Sequence, residues 1–134
     1  EDPKGDRYAQ VQAIMEVAIT RGASGLHGPR AVTLAVTMSR FHAMTFEAES
    51  ISLDVGVHNI DFTAQVFDAR TGEALTSPEF IDAAFPAMTG AAMAQARAAG
   101  QSQKSQITAH VAATIAGWLG VGPDPRMTFT RAGN

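Results

Sequence analysis

Four histidines, His27, His42, His58 and His110, are the side chains in this sequence best able to hold a metal or move a proton near neutral pH. Metal ligands on one strand or helix stand two or four residues apart, and no pair of these histidines does. No metal site and no cofactor is therefore expected. His42 follows Phe41 at the end of a strand pattern, and His58 falls in an irregular step between two patterns. Two readings stay open for them. In one they cap loose backbone groups. In the other His42 or His58, with Arg40 nearby, is the polar group of a ligand-binding pocket. His110 reads as a semi-buried helix residue.

The carboxylates declare no acid–base pair. Asp54 and Asp61 fall opposite the apolar sets of their strand patterns, a face that reads as solvated. Glu47 and Glu49 can share one face of an extended segment, as ordinary surface charge. Asp68 reads as a turn residue and nothing more. Neither GxSxG, nor HExxH, nor a phosphate-binding GxxxxGK is present. Gly22, Gly25 and Gly28 recur every third residue, but no strand precedes them, so they do not form a dinucleotide loop. The absence of cysteine excludes disulfides, thiolate metal sites and a Cys nucleophile within these residues.

Composition narrows the classes further. A chain of 134 residues suits one domain, with 46% apolar and 17% charged residues. A net charge of −3 argues against nucleic-acid binding by bulk charge. No run reaches the length of a membrane-spanning helix. The chain opens on Glu1 rather than Met, from which a processed or trimmed product is expected.

The elements that must position these residues are legible from periodicity. Asp6 is a candidate N-cap for a helix over about 7–21, with Tyr8, Val11, Met15, Ala18 and Ile19 at helical spacing and Gly22 ending it. Residues 31–41 alternate as a half-buried strand: Val32, Leu34, Val36 and Met38 share one face, and Thr33, Ala35, Thr37 and Ser39 the other. A second alternating run is Ile51, Leu53, Val55 and Val57. A third is Ile60, Phe62, Ala64 and Val66. The parity changes between them, which predicts a bulge or kink near Gly56–Asn59 in preference to a tight turn. Residues 68–72 predict a hairpin turn, and a return strand over about 73–85 is expected to kink at Ser77-Pro78. Pro86 suits the first turn of an Ala-rich helix over 87–99. A last helix over about 103–119 carries Ile107, Val111, Ile115, Trp118 and Leu119 as its apolar stripe.

This order predicts an α+β fold in two layers, an antiparallel sheet of three to four strands packed against an N-terminal helix and C-terminal helices. Residues 1–120 form one expected domain, and 121–134 an extended or frayed tail. The polar face of the strands is small and mostly uncharged, a surface suited to another subunit or layer. The Ala-rich helix suits close packing within the fold or, in a second reading, a protein surface with Met88, Met93 and Ala91 as candidate contacts.

Three stretches together carry a resemblance: VTLAVTMSRFHAMT (32–45), VGVHNIDFTAQVFDARTGEAL (55–75) and GQSQKSQITAHVAATIAGWL (100–119). A strand ending Arg-Phe-His precedes a strand that starts His-x-Ile and closes in Asp-Ala-x-Thr-Gly, and a Gly-Gln-started amphipathic helix follows. The pattern resembles an uncharacterised family of small alphaproteobacterial envelope proteins, many of them candidate lipoproteins. More loosely, it is similar to the auxiliary lipoproteins of envelope transport systems. The resemblance covers about residues 6–119. It implies a bacterial periplasmic location, with or without outer-membrane anchoring through a lipidated Cys upstream of Glu1. It carries over no catalytic residue. In such folds a strand often precedes the first helix; with the chain opening at Glu1 that strand is expected to be missing, which would leave a sheet edge open to a partner. The expected function is a non-enzymatic accessory or assembly subunit. Its partner would be another envelope protein, or further copies of the chain in a homo-oligomer. The alternative is a small-ligand binder or enzyme with a pocket between helix and sheet.

Overall fold

A computed structural model describes residues 6–43 and 57–125. The elements are α1 (Arg7–Gly22), β1 (Val32–His42), β2 (Val57–Asp68), β3 (Glu79–Asp82), β4 (Phe85–Pro86), α2 (Gly90–Ala98) and α3 (Gln103–Leu119). An N-terminal helix, an antiparallel sheet and two C-terminal helices make the chain α+β, as the periodicity predicts. Its contacts divide it into a helical unit, residues 1–26 with 101–134, and a sheet unit, residues 27–100.

In the helical unit, Asp6 caps α1 by accepting the backbone N–H groups of Tyr8 and Ala9. Ile14, Met15, Ala18 and Gly22 are buried along one stripe. Tyr8, expected in that stripe, is 89% exposed. Gly22 is the last helical residue and is buried there because α3 passes close by. A Cβ at Gly22 would lie 2.5 Å from the Ala112 carbonyl oxygen and 2.8 Å from Ile115 Cβ. Along α3, Ile107, Val111 and Ile115 are buried, while Trp118 and Leu119 are half-buried. Ser102 and Ser105 form a reciprocal capping box at its start. Two buried hydroxyls satisfy themselves locally: Thr108 donates to the Lys104 carbonyl at 2.7 Å and Thr114 to the His110 carbonyl at 2.9 Å. Gly120, at φ +79°, closes the helix in the left-handed region. The chain then turns back, so that Asp124 lies against Gly117. Residues 126–134, the rest of the expected tail, lie outside the described residues.

In the sheet unit, β2 is central. It pairs antiparallel with β1 on one side and with β3 and β4 on the other. His58, Ile60, Phe62 and Ala64 alternate inward and are buried. Val57, grouped in the sequence with the preceding odd-numbered run, points outward. The inward phase of β2 therefore already holds at His58. Ile51, Leu53, Val55 and Gly56, and with them the expected bulge or kink, lie outside the described residues. The register shift that is described falls in β1, between Met38 and Arg40. The strict alternation expected over 31–41 is corrected there. Ser39 absorbs one residue, which returns Phe41 to the face of Leu34, Val36 and Met38, opposite Ile60.

The return strand is broken where Ser77-Pro78 predicts. Ala74 makes an isolated bridge to Phe67, and β3 begins only at Glu79. Across the gap, the Val66 N–H donates to the Thr76 hydroxyl and the Gln65 side chain to the Thr76 carbonyl. The helix expected from Pro86 starts later, at Gly90. Pro86 belongs to β4 and stands opposite Val57, and the extended Thr89 and the positive φ of Gly90 keep residues 87–89 off the helical path.

Candidate functional site

Register assigns each candidate side chain to a face of the sheet. Arg40 stands opposite Asp61, Phe41 opposite Ile60, and His42 opposite Asn59. Directly opposed residues share a face. Arg40 and His42 therefore lie with Asp61 and Asn59 on the outer face, at the end of the β1–β2 ladder where β1 stops. His58 lies on the other face, in line with Ile60 and Phe62. The structure brings Arg40 and His42 together and separates both from His58. His58 is fully buried, and its ring sits 5.0 Å from that of Phe85, tilted by 47°. The sequence by itself leaves His58 a histidine in an irregular step, with no face assigned. The regular phase of β2 makes it an inward one.

The outer face is built in rows. Arg40 reaches Asp61 with Nε 3.8 Å from Oδ2, and Asp82 of β3 stands next in the same row. Two carboxylates thus face each other across β2 and β3, with the guanidinium on the far side of Asp61. The Arg40–Asp61 ion pair, long and with its arginine exposed, contributes little to stability. Asp82 also accepts the Ala84 N–H at 3.0 Å. The adjoining row is Thr37, Thr63 and Phe80. Phe80 is 61% exposed beside Thr63, on a face that carries Phe67, half-buried, farther along β2. Neither composition nor spacing singled it out. Phe80 and Ile81 are adjacent apolar residues, and only the register of β3 decides which of them turns inward.

Asp68 does more than open a turn. Its Oδ1 accepts the N–H groups of Arg70 and Thr71, and its Oδ2 accepts from Arg30 Nε at 2.8 Å. The Arg30 hydrogen bond, and then the two turn N–H groups, pull the Asp68 carboxyl down to about 2. The sequence reading of Asp68 as a turn residue alone is corrected. Arg30 lies 38 residues away, and no local spacing signals their pairing.

On and before α2, Met88 and Ala91 are exposed, whereas Met93 is 1% exposed and turns inward. Asp54, Glu47 and Glu49 lie outside the described residues. Among the described residues, no three of His, Asp and Glu come together as a metal-binding set. No helix among them is long and apolar enough to cross a membrane.

Residues 1–134 match a protein-family profile described as "Family of unknown function (DUF6778)". The chain belongs to this family. Among solved structures, this DUF6778 chain is similar to a candidate lipoprotein from Caulobacter crescentus. The identity is 17% and the TM-score 0.48, covering 81% of this chain and 82% of the other. A search of curated proteins returns no match.

Proposed function

We propose that this chain is a non-enzymatic, envelope-associated accessory or assembly subunit that works through protein contacts. The observation that carries this reading is the outer face of the sheet. There an exposed Phe80 stands beside Thr63 and Thr37, next to a charged row of Arg40, Asp61 and Asp82. Protein interfaces favour this arrangement, an aromatic anchor among uncharged residues with charge at the rim. Met88 and Ala91 are also exposed, and Met93 is buried. The resemblance of the three sequence stretches to envelope proteins supports the proposed location in the periplasm, with or without a lipid anchor.

The alternative keeps His58 as the polar group of a ligand site. Its placement on a buried apolar face beside Phe85 favours this over a site at His42.

The test is recovery of the endogenous protein from native membranes, with intact-mass analysis of its N-terminus. A lipidated or signal-cleaved N-terminus, with a stoichiometric envelope protein or a second copy attached, is expected. An unmodified, partner-free monomer would overturn the proposal and turn the search to ligands around His58.

A further inference from the structure

Strand β1 is an edge of the described sheet. Among the described residues it pairs only with β2. Hydrogen bonding shows which of its residues face the open side. The Ala69 N–H donates to the Ala31 carbonyl at 3.0 Å, so odd-numbered positions of β1 bond to β2. On β2, the Val66 carbonyl accepts from Leu75 and the Asp68 N–H donates to Glu73, both directed away from β1. Leu34 and Val32, which stand opposite Val66 and Asp68, therefore direct their N–H and C=O groups to the open edge. Alternation extends this to Val36 and Met38.

These four residues also carry the apolar face of β1. Leu34, Val36 and Met38 are only half-buried and Val32 is exposed, whereas Ala64 and Phe62, opposite Val36 and Met38, are fully buried. From Val32 to Met38 the edge has no charge, no proline, no glycine and no bulge. These are the devices that ordinarily block strand addition. The first of them, the bulge at Ser39 followed by Arg40, comes only after Met38.

We infer that β1 pairs antiparallel with β1 of a second copy, joining two sheets across a two-fold axis at Ala35. This rests on the protein-contact reading and names its surface and its partner. A strand added here needs an apolar row on the same face and no charge opposite residues 32–38. Strand β1, reversed about Ala35, is such a strand. Val32 then meets Met38 and Leu34 meets Val36 on one face, and Thr33 meets Thr37 on the other. Each apolar pair is a hydrogen-bonded one, exchanging both N–H···O bonds. The arginines flanking the segment already have acidic neighbours, Asp68 for Arg30 and Asp61 for Arg40, so no unmatched charge opposes the approach.

The test combines sedimentation equilibrium of the full chain with residue-resolved hydrogen exchange. The expected result is a concentration-dependent dimer in which the amides of Leu34, Val36 and Met38 are protected like those of Thr33, Ala35 and Thr37. Dilution to monomer should leave only the odd-numbered set protected. Val36→Pro removes an edge-facing N–H and no bond to β2. It should weaken the dimer by about tenfold or more, because each copy loses a hydrogen bond. A monomer with fast exchange at Leu34 and Val36 at every concentration would overturn the inference. So would a dimer whose even-numbered amides stay unprotected. Because exchange is read on the unmodified chain, the test stands even where the proline variant fails to fold. A monomer that still carries a stoichiometric envelope partner on native membranes overturns this pairing alone and leaves the protein-contact reading in place.

Discussion

Asp68 shows how one side chain can hold two distant parts of the sheet unit. Its carboxylate pins the 68–72 turn through two backbone N–H groups and the start of β1 through Arg30. Its pKa is lowered, so the charged form is the one the fold favours. The sign follows directly. The stabilisation is complete above the ordinary carboxylate value of 3.8 and is lost as pH falls through it toward about 2. Asp68→Asn should therefore be less stable than the parent at neutral pH in urea titrations. The difference should shrink steadily between pH 4 and pH 2. A difference that stayed constant across that window would show that geometry, not charge, carries the role. The turn half of this role is legible locally, since Asp opening and Gly closing a turn is a short-range signal. The Arg30 half is not, because it depends on strand register.

At the scale of elements, the boundaries of α1, β1 and α3 follow their caps and periods closely. Asp6, Ser102 and Gly120 mark ends by local hydrogen bonding or left-handed geometry, and these causes lie within a few residues. The role of Gly22 is different. Read alone it is a helix stop, yet it is the contact that lets α3 approach α1. Gly22→Ala should gain helix propensity in isolation and still destabilise the protein by about 1–3 kcal/mol, because the new methyl meets backbone and Ile115. Thermal denaturation of the variant measures this, and an unchanged or raised midpoint would refute the close approach. Pro86 is the converse case. A helix-start residue by local preference became a strand residue because β2 offered Val57 as a neighbour.

At the scale of the whole molecule, a net charge of −3 is small, and the proposed pairing edge carries none of it. Association through that edge should respond weakly to ionic strength. The dimer constant measured in low and in high salt should agree to within about twofold, since screening acts on charged contacts. A loss of about tenfold in high salt would point instead to the charged row at Arg40, Asp61 and Asp82. The small, mostly uncharged polar face of the strands and Met88 belong to what the sequence offers as candidate surface. Phe80 and the inward turn of Met93 do not.

The sequence by itself determined the α+β class, the main helices, the hairpin turn and the break near Pro78. Each of these follows from period, capping or turn chemistry acting over a few neighbouring residues. Only the tertiary structure decided which face each residue joined. The Ser39 bulge moved Phe41 back to the face of Met38, register put His58 opposite in face to Arg40 and His42, and strand pairing left β1 at an edge of the described sheet. The physical reason is that a strand alternates faces at every residue. A one-residue shift, invisible to composition, reverses every assignment beyond it.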